Sequence, residues 1–126
     1  MSTIVISNIK ATGETASRAV SGVAAAWVNF NGTGTIATRD SNNVSSLTDN
    51  GAGNTSVALS SNMNNSDYSV SGAANHDSYF TDTLEPFSYA ASSFSVATYS
   101  RGSSTTGASG GLDLTYVNAT IHGDLA

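Results

Sequence analysis

The chain has 126 residues, enough for one domain with one core, and 39% of them are hydrophobic. Only 10% are charged, against about 25% in a typical protein, so its polarity comes from Ser, Thr, Asn and Gly, which suit strands and turns. A net charge of -5 with 4 Lys and Arg residues excludes a basic nucleic-acid surface, and the lack of Cys excludes disulfides, zinc-thiolate sites and thiol nucleophiles.

The N-terminal segment is apolar but short. Ile4, Ile6 and Ile9 are too few to form a core and too apolar for a free tail. We therefore predict an attachment arm over residues 1–24. The N-terminus lacks a signal-peptide pattern, and no segment approaches the roughly 20 apolar residues of a membrane span, so we expect synthesis in the cytoplasm and no membrane insertion.

The second half of the arm has a weak helical pattern. Ala16, Ala19 and Val20 follow helical spacing, and Gly22 is placed to end a helix. This pattern predicts a short helix over Glu14 to Ser21.

Strand signals dominate from Ala25 onward. Asn31-Gly32 and the segment from Asp49 to Gly53 carry the residues of hairpin turns. The predicted strands cover residues 26–30, 35–39, 43–48, 55–59, 68–70, 94–97 and 112–122. Short strands at nearly regular spacing predict an all-β fold, an antiparallel β-sandwich or jelly roll, over residues 25–126.

The last predicted strand changes its apolar side partway along. Leu112 and Leu114 point to one face, whereas Val117 and Ile121 point to the other, which predicts a bulge or burial on both faces. A second buried face would indicate a subunit contact, and a small domain without Cys is short of buried apolar area. We therefore expect a homotrimer.

The stretch from Asn75 to Ala90 interrupts the strand rhythm and predicts a long ordered loop. Aromatic faces stack on sugars and carboxylates accept hydroxyl hydrogen bonds, so this loop is the candidate receptor-binding segment. Its candidate contacts are Tyr79, Phe80, Asp82, Phe87 and Tyr89. The alternative is that Phe80 and Phe87 only fasten the loop to the core.

Three glycine-rich segments imitate functional motifs. Gly107 to Gly111 matches the G-x-S-x-G nucleophile elbow around Ser109, but no helix follows it. Gly32 to Ala37 imitates a dinucleotide fingerprint, yet Thr35 onward alternates like a strand. Asp49 to Asn54 resembles a calcium loop without its bidentate Glu. We expect turns and loops here, with no catalytic residue and no cofactor.

Two His–carboxylate pairs, His76 with Asp77 and His122 with Asp124, are the candidates for a metal held at a subunit axis. Two His residues in a small domain are more often surface or hydrogen-bonded residues. We therefore expect no metal.

Three segments carry a family resemblance: Ala25 to Ala37, Asn43 to Gly53 and Val117 to Asp124. Together they resemble the C-terminal module of tail-fibre-like virion proteins from phages of marine and other bacteria. The resemblance implies a β-rich module, trimeric, displayed on the virion exterior and without catalytic residues.

The expected function is therefore the head of a phage tail fibre or spike that binds the host surface, with a host-surface glycan as candidate receptor. The arm would hold other virion proteins. The alternative is a decoration, or cement, protein that stabilises the capsid or tail without receptor binding, which the absence of a shaft upstream of the arm favours. An enzyme that degrades glycans is the third and weakest hypothesis.

Overall fold

The computed structural model describes residues 2–9, 12, 18–19, 23–76, 82–100 and 111–126, and within these residues the chain forms strands and no helix. The strands are β1 (Asn8–Ile9), β2 (Arg18–Ala19), β3 (Ala24–Asn31), β4 (Ala37–Asn42), β5 (Val44–Asp49), β6 (Asn54–Leu59), β7 (Ser69–Asn75), β8 (Asp82–Ala90), β9 (Ser93–Ser100) and β10 (Tyr116–His122). The predicted all-β class is confirmed.

The long strands form two antiparallel four-stranded sheets. The first sheet has the order β4-β3-β10-β7, and the second has the order β5-β6-β9-β8. The hairpins predicted around Asn31-Gly32 and Asp49 to Gly53 join β3 to β4 and β5 to β6. The first of these is wider than an Asn-Gly turn, because Asn31 pairs with Ala37 across five intervening residues.

The core lies between the two sheets. The first sheet buries Ala26, Val28, Phe30, Ala74, Val117, Ala119 and Ile121, and the second buries Val57, Leu59, Phe94 and Val96. Met63, Tyr68 and Leu114 add to this cluster from the connecting segments. Because both inner faces share one apolar cluster, the architecture is that of a β-sandwich, and the two outer faces are free to carry function.

The helix predicted over Glu14 to Ser21 is wrong at the two of its residues that the structure describes. Arg18 and Ala19 form β2, which pairs with Asn8 and Ile9 in a separate two-stranded sheet. A helix of this length gains few internal hydrogen bonds, so pairing with a neighbouring segment competes well. The other residues of the predicted helix lie outside the described residues.

The long loop predicted from Asn75 to Ala90 is also wrong over its second half, where β8 runs for 9 residues. Leu84 and Pro86 are partly buried, while Thr83, Glu85 and Phe87 are exposed, which is the alternation of a strand. The loop was predicted because Pro86 is unfavourable within a strand. Because β8 lies at the edge of the second sheet, a residue without a backbone N–H is tolerated there.

The last strand begins at Tyr116 rather than at Leu112. Leu114 is buried in the irregular segment before it, the chain bends at Thr115, and the inward positions then start at Val117. This bend, rather than burial on both faces, accounts for the change of apolar side. The pattern therefore no longer argues for a subunit contact, and the homotrimer stays a prediction.

Candidate functional site

The predicted receptor contacts are not one surface. Tyr79 and Phe80 lie outside the described residues. The side chain of Asp82 is only 1% exposed, and its Oδ2 accepts a 2.7 Å hydrogen bond from the backbone N–H of His76. The Nδ1 atom of His76 lies 3.2 Å from the same oxygen. Asp82 thus fastens the connection between β7 and β8, and its prediction as a receptor contact is corrected.

A bulge in β8 separates the other two predicted aromatic contacts. The register of β8 on β9 shifts between Phe87 and Ala90, and Ser88 has a φ of 52° in the left-handed region. The extra residue directs the Tyr89 ring toward Tyr68, with ring centroids 5.3 Å apart. Phe87 remains on the outer face of the second sheet. The bulge therefore assigns one aromatic to the outer face and the other to the end of the sandwich.

Phe87 borders a depression on the outer face of the second sheet, which we call the outer depression. Its volume is about 340 Å³. The depression is lined by Ala52, Gly53, Asn54, Glu85, Pro86, Phe87, Ala97, Tyr99 and Gly111.

Strand register explains how these side chains converge. Ala97 in β9 pairs with Asn54 in β6 on one side and with Glu85 in β8 on the other. Its methyl group therefore forms a low floor between an amide and a carboxylate. Phe87 and Tyr99 lie at opposite ends of this floor, separated along the strands by four residues, or about 13 Å.

The β5–β6 turn forms one wall of the depression. At Gly53 the backbone of this turn crosses close to the backbone of Thr98 and Leu112, which we call the crossing at Gly53. The N–H of Gly53 donates to Oδ1 of Asp113 at 2.7 Å, and its carbonyl accepts from the N–H of Thr98 at 2.8 Å. Gly53 has a φ of 66°, and a Cβ there would collide with the backbone of Leu112 and Thr98. Only glycine allows this close approach, so this position fixes the path of the wall next to Leu112 and Thr98.

Hydroxyl groups continue the outer face beyond the depression. Nδ2 of Asn50 donates to Oγ of Ser56 at 2.8 Å, and Oγ of Ser56 lies 3.0 Å from Oγ of Ser95. Ser95 is buried and Ser56 is partly buried, so these hydroxyl groups bond to each other beneath the surface beside Phe87.

The outer face of the first sheet has a different character. A register shift in the pairing of β3 with β4 places the guanidinium of Arg39 over the Tyr116 ring, 4.5 Å from its centroid. Nη1 of Arg39 also donates to the carbonyl of Phe30 at 2.8 Å. One face of this exposed aromatic is therefore already covered by a cation of the same chain.

The N-terminal arm supplies a third exposed feature. Ile4 is 82% exposed, Val5 is 92% exposed, and Ile6 and Ile9 are also exposed. The arm strands β1 and β2 pair with each other and with neither sheet of the sandwich. The predicted anchor residues are thus available for a partner.

One tyrosine at the end of the sandwich has a perturbed ionisation. The phenolic oxygen of Tyr68 lies 2.9 Å from the carbonyl oxygens of both Ala90 and Ser93, and its ring is buried. Burial is the main cause that raises the pKa of Tyr68, and the neighbouring Tyr89 raises it further. The group therefore stays protonated and joins the segment before β7 to the β8–β9 turn.

Sequence reasoning missed Glu85 because it assigned the segment around Pro86 to a loop, and it missed Tyr99 because the predicted strand ended at Ala97. A period-two reading from Asp82 to Phe87 would have placed Glu85 and Phe87 on one face. The contribution of Asn54 has no local signal, since it depends on the pairing of β6 with β9.

The remaining predictions concern the serine motif, a metal site and membrane insertion. Ser109 lies outside the described residues. Among the residues that the structure describes, no group of three His, Asp or Glu side chains is arranged to hold a metal ion. Within the same part of the chain, no helix has the length and hydrophobicity needed to cross a membrane.

Comparisons of the chain with protein-family models, with curated proteins and with solved structures found no match.

Proposed function

We propose that the protein is a structural protein of the phage virion exterior, the head of a tail fibre or spike that binds the host surface. The phage role rests on the resemblance of Ala25 to Ala37, Asn43 to Gly53 and Val117 to Asp124 to tail-fibre-like virion proteins. The observation that carries the binding role is the outer depression, where Phe87, Tyr99 and Glu85 lie on the outer face of two paired strands. Solvent-facing aromatics beside polar groups on a rigid scaffold are typical of binding sites.

The exposed arm supports attachment of this head to the virion. If a docking groove buried them, Ile4, Ile6 and Ile9 would each contribute about 1.5–3 kcal/mol. In a homotrimer, three such arms would act together, so a modest affinity per arm would give firm attachment through effective concentration.

The proposal contains no catalytic step. Glycoside hydrolysis generally uses two carboxylates on either side of the scissile bond, and Glu85 is the only Asp or Glu among the residues that line the outer depression. A single carboxylate on a flat floor is suited to accepting hydrogen bonds from hydroxyl groups.

A decoration or cement protein is the second candidate, and the arm is the observation that favours it. The nearly complete exposure of Ile4 and Val5 fits a segment that grips a neighbouring capsid or tail protein. The two candidates differ in the phenotype of particles that lack the protein. Fibre or spike heads are needed for attachment to cells, whereas cement proteins are needed for particle stability.

The first experiment deletes Met1 to Lys10. Because β1 and β2 are separate from the sandwich, we expect the truncated protein to keep the β-sheet circular dichroism spectrum while losing incorporation into virions. Incorporation is measured by blotting purified particles. Normal incorporation of the truncated protein would show that the arm is not the attachment segment, and loss of the spectrum would show that it belongs to the folded module.

The oligomeric state is measured by light scattering on the full chain. A homotrimer gives three times the 12.7 kDa of one chain. A stable monomer at micromolar concentration would refute the trimer.

A further inference from the structure

We propose that the outer depression is a saccharide site that takes a neutral sugar unit of a surface polysaccharide, a hexose or an N-acetylhexosamine. This inference rests on the proposed function, since it names the ligand class that the binding head would recognise. Three properties of the depression carry it: the placement of its aromatic side chains, the polar groups across its floor, and its charge.

The aromatic side chains stand where a sugar chain could lie between them. Phe87 is 37% exposed, and Tyr99 faces the same side of the sheet about 13 Å along the strands. The C–H face of a pyranose packs against an aromatic ring, and the second ring lies far enough away to contact the next unit of the chain. A site for a single ion would need neither of these two aromatic rings.

Polar groups cross the floor between the aromatics. Glu85 and Asn54 lie on either side of Ala97, two strand spacings or about 10 Å apart. A carboxylate accepts hydrogen bonds from a pair of hydroxyl groups, and an amide both donates and accepts. Because the side chain of Ala97 is only a methyl group, a pyranose ring can lie over it and reach both Glu85 and Asn54 without a steric barrier.

Charge selects a neutral ligand. Glu85 brings a negative charge into the depression, and the whole chain carries a net charge of -5. An acidic sugar would meet repulsion there, whereas a neutral sugar would not.

The local backbone keeps the site pre-formed. The crossing at Gly53 fixes one wall, and the bulge at Ser88 ends the flat part of β8 just beyond Phe87. A rigid site loses little conformational entropy when it binds, which suits the weak individual contacts of sugar recognition.

The test uses the full chain on a printed array that carries neutral and acidic glycans. We expect binding confined to neutral glycans, at least a tenfold loss in Phe87→Ala and in Tyr99→Ala, and retained binding in Tyr99→Phe. Tyr116→Ala is the matched control, because it removes an exposed aromatic from the opposite face. Thermal unfolding of each variant verifies that the module remains folded.

The charge argument has its own variant, Glu85→Gln. This change keeps the shape of the side chain, and we expect it to weaken binding of neutral glycans and to relax the discrimination against acidic ones. Binding to acidic glycans only, no binding to any neutral glycan, or full binding by both alanine variants would overturn the proposal.

Particle assays separate this inference from the proposed function. If virions carrying Phe87→Ala and Tyr99→Ala attach normally while virions without the protein do not, the binding head stands and the saccharide site is wrong. If virions without the protein attach normally, the proposed function itself fails. Attachment lost after protease treatment of the host cells but kept after periodate oxidation would show a protein receptor and overturn the sugar assignment.

Discussion

The same residue type behaves oppositely in the arm and in the sandwich. Ile121 in β10 is completely buried, whereas Ile4 in the arm is 82% exposed. The strand β10 lies inside the first sheet with β3 and β7 on either side, while β1 has only β2 as a partner. The same side chain is thus buried in one region and exposed in the other, because burial depends on which strands pack around it.

The arm and the sandwich also differ in how their strands are stabilised. An isolated two-stranded pair is marginal in stability, whereas four-stranded sheets that share an apolar face support each other. The sandwich therefore holds its shape and presents the outer depression. The arm leaves the side chains of Ile4 and Val5 exposed.

Apolar truncation in each region tests this comparison most directly. Phe94 is completely buried between the sheets, so Phe94→Ala should lower the free energy of unfolding by about 3–5 kcal/mol. Ile4→Ala should change it by less than about 0.5 kcal/mol, as expected for an exposed side chain. Both values come from urea unfolding followed by circular dichroism. A cost above about 1 kcal/mol for Ile4→Ala would show that the arm packs on the sandwich.

A second test concerns the corner where the chain passes from the first sheet to the second. Asn43 has a φ of 55°, its Nδ2 donates to the carbonyls of Ala25 and Ser61, and its Oδ1 accepts from the N–H of Ser61. We expect Asn43→Ala to cost about 2–3 kcal/mol, because it removes these bonds and places alanine in a strained conformation. The measurement is the midpoint of urea unfolding.

Two further variants sharpen this test. Asn42→Ala changes the exposed neighbour and should have little effect. Asn43→Gly relieves the backbone strain but not the lost hydrogen bonds, so its cost should fall between those of the other two variants. Equal effects of Asn43→Ala and Asn42→Ala would show that the corner is not held by this side chain.

The smallest expected effect is a pH dependence at the end of the sandwich. The folded state raises the pKa of Tyr68 above its ordinary value of 10.0, so the unfolded chain loses the phenolic proton first as the pH rises. The stabilisation from Tyr68 is thus complete below pH 10.0 and is lost as the pH rises through the folded pKa. The free energy of unfolding should fall less steeply above that pH in Tyr68→Phe than in the wild type. If Tyr68→Phe and the wild type lose stability in parallel, the phenol of Tyr68 is not the group that links stability to alkaline pH.

The sequence by itself determined the all-β class and the hairpins around Asn31-Gly32 and Asp49 to Gly53. These features follow from alternation and turn residues, which act over a few neighbouring positions. Only the tertiary structure decided that β10 lies between β3 and β7, that Asp82 is buried, and that Glu85 and Phe87 share a depression with Asn54 and Tyr99. The pairing of distant strands and the bulge at Ser88 bring those side chains together, and no local periodicity encodes which strands will become neighbours.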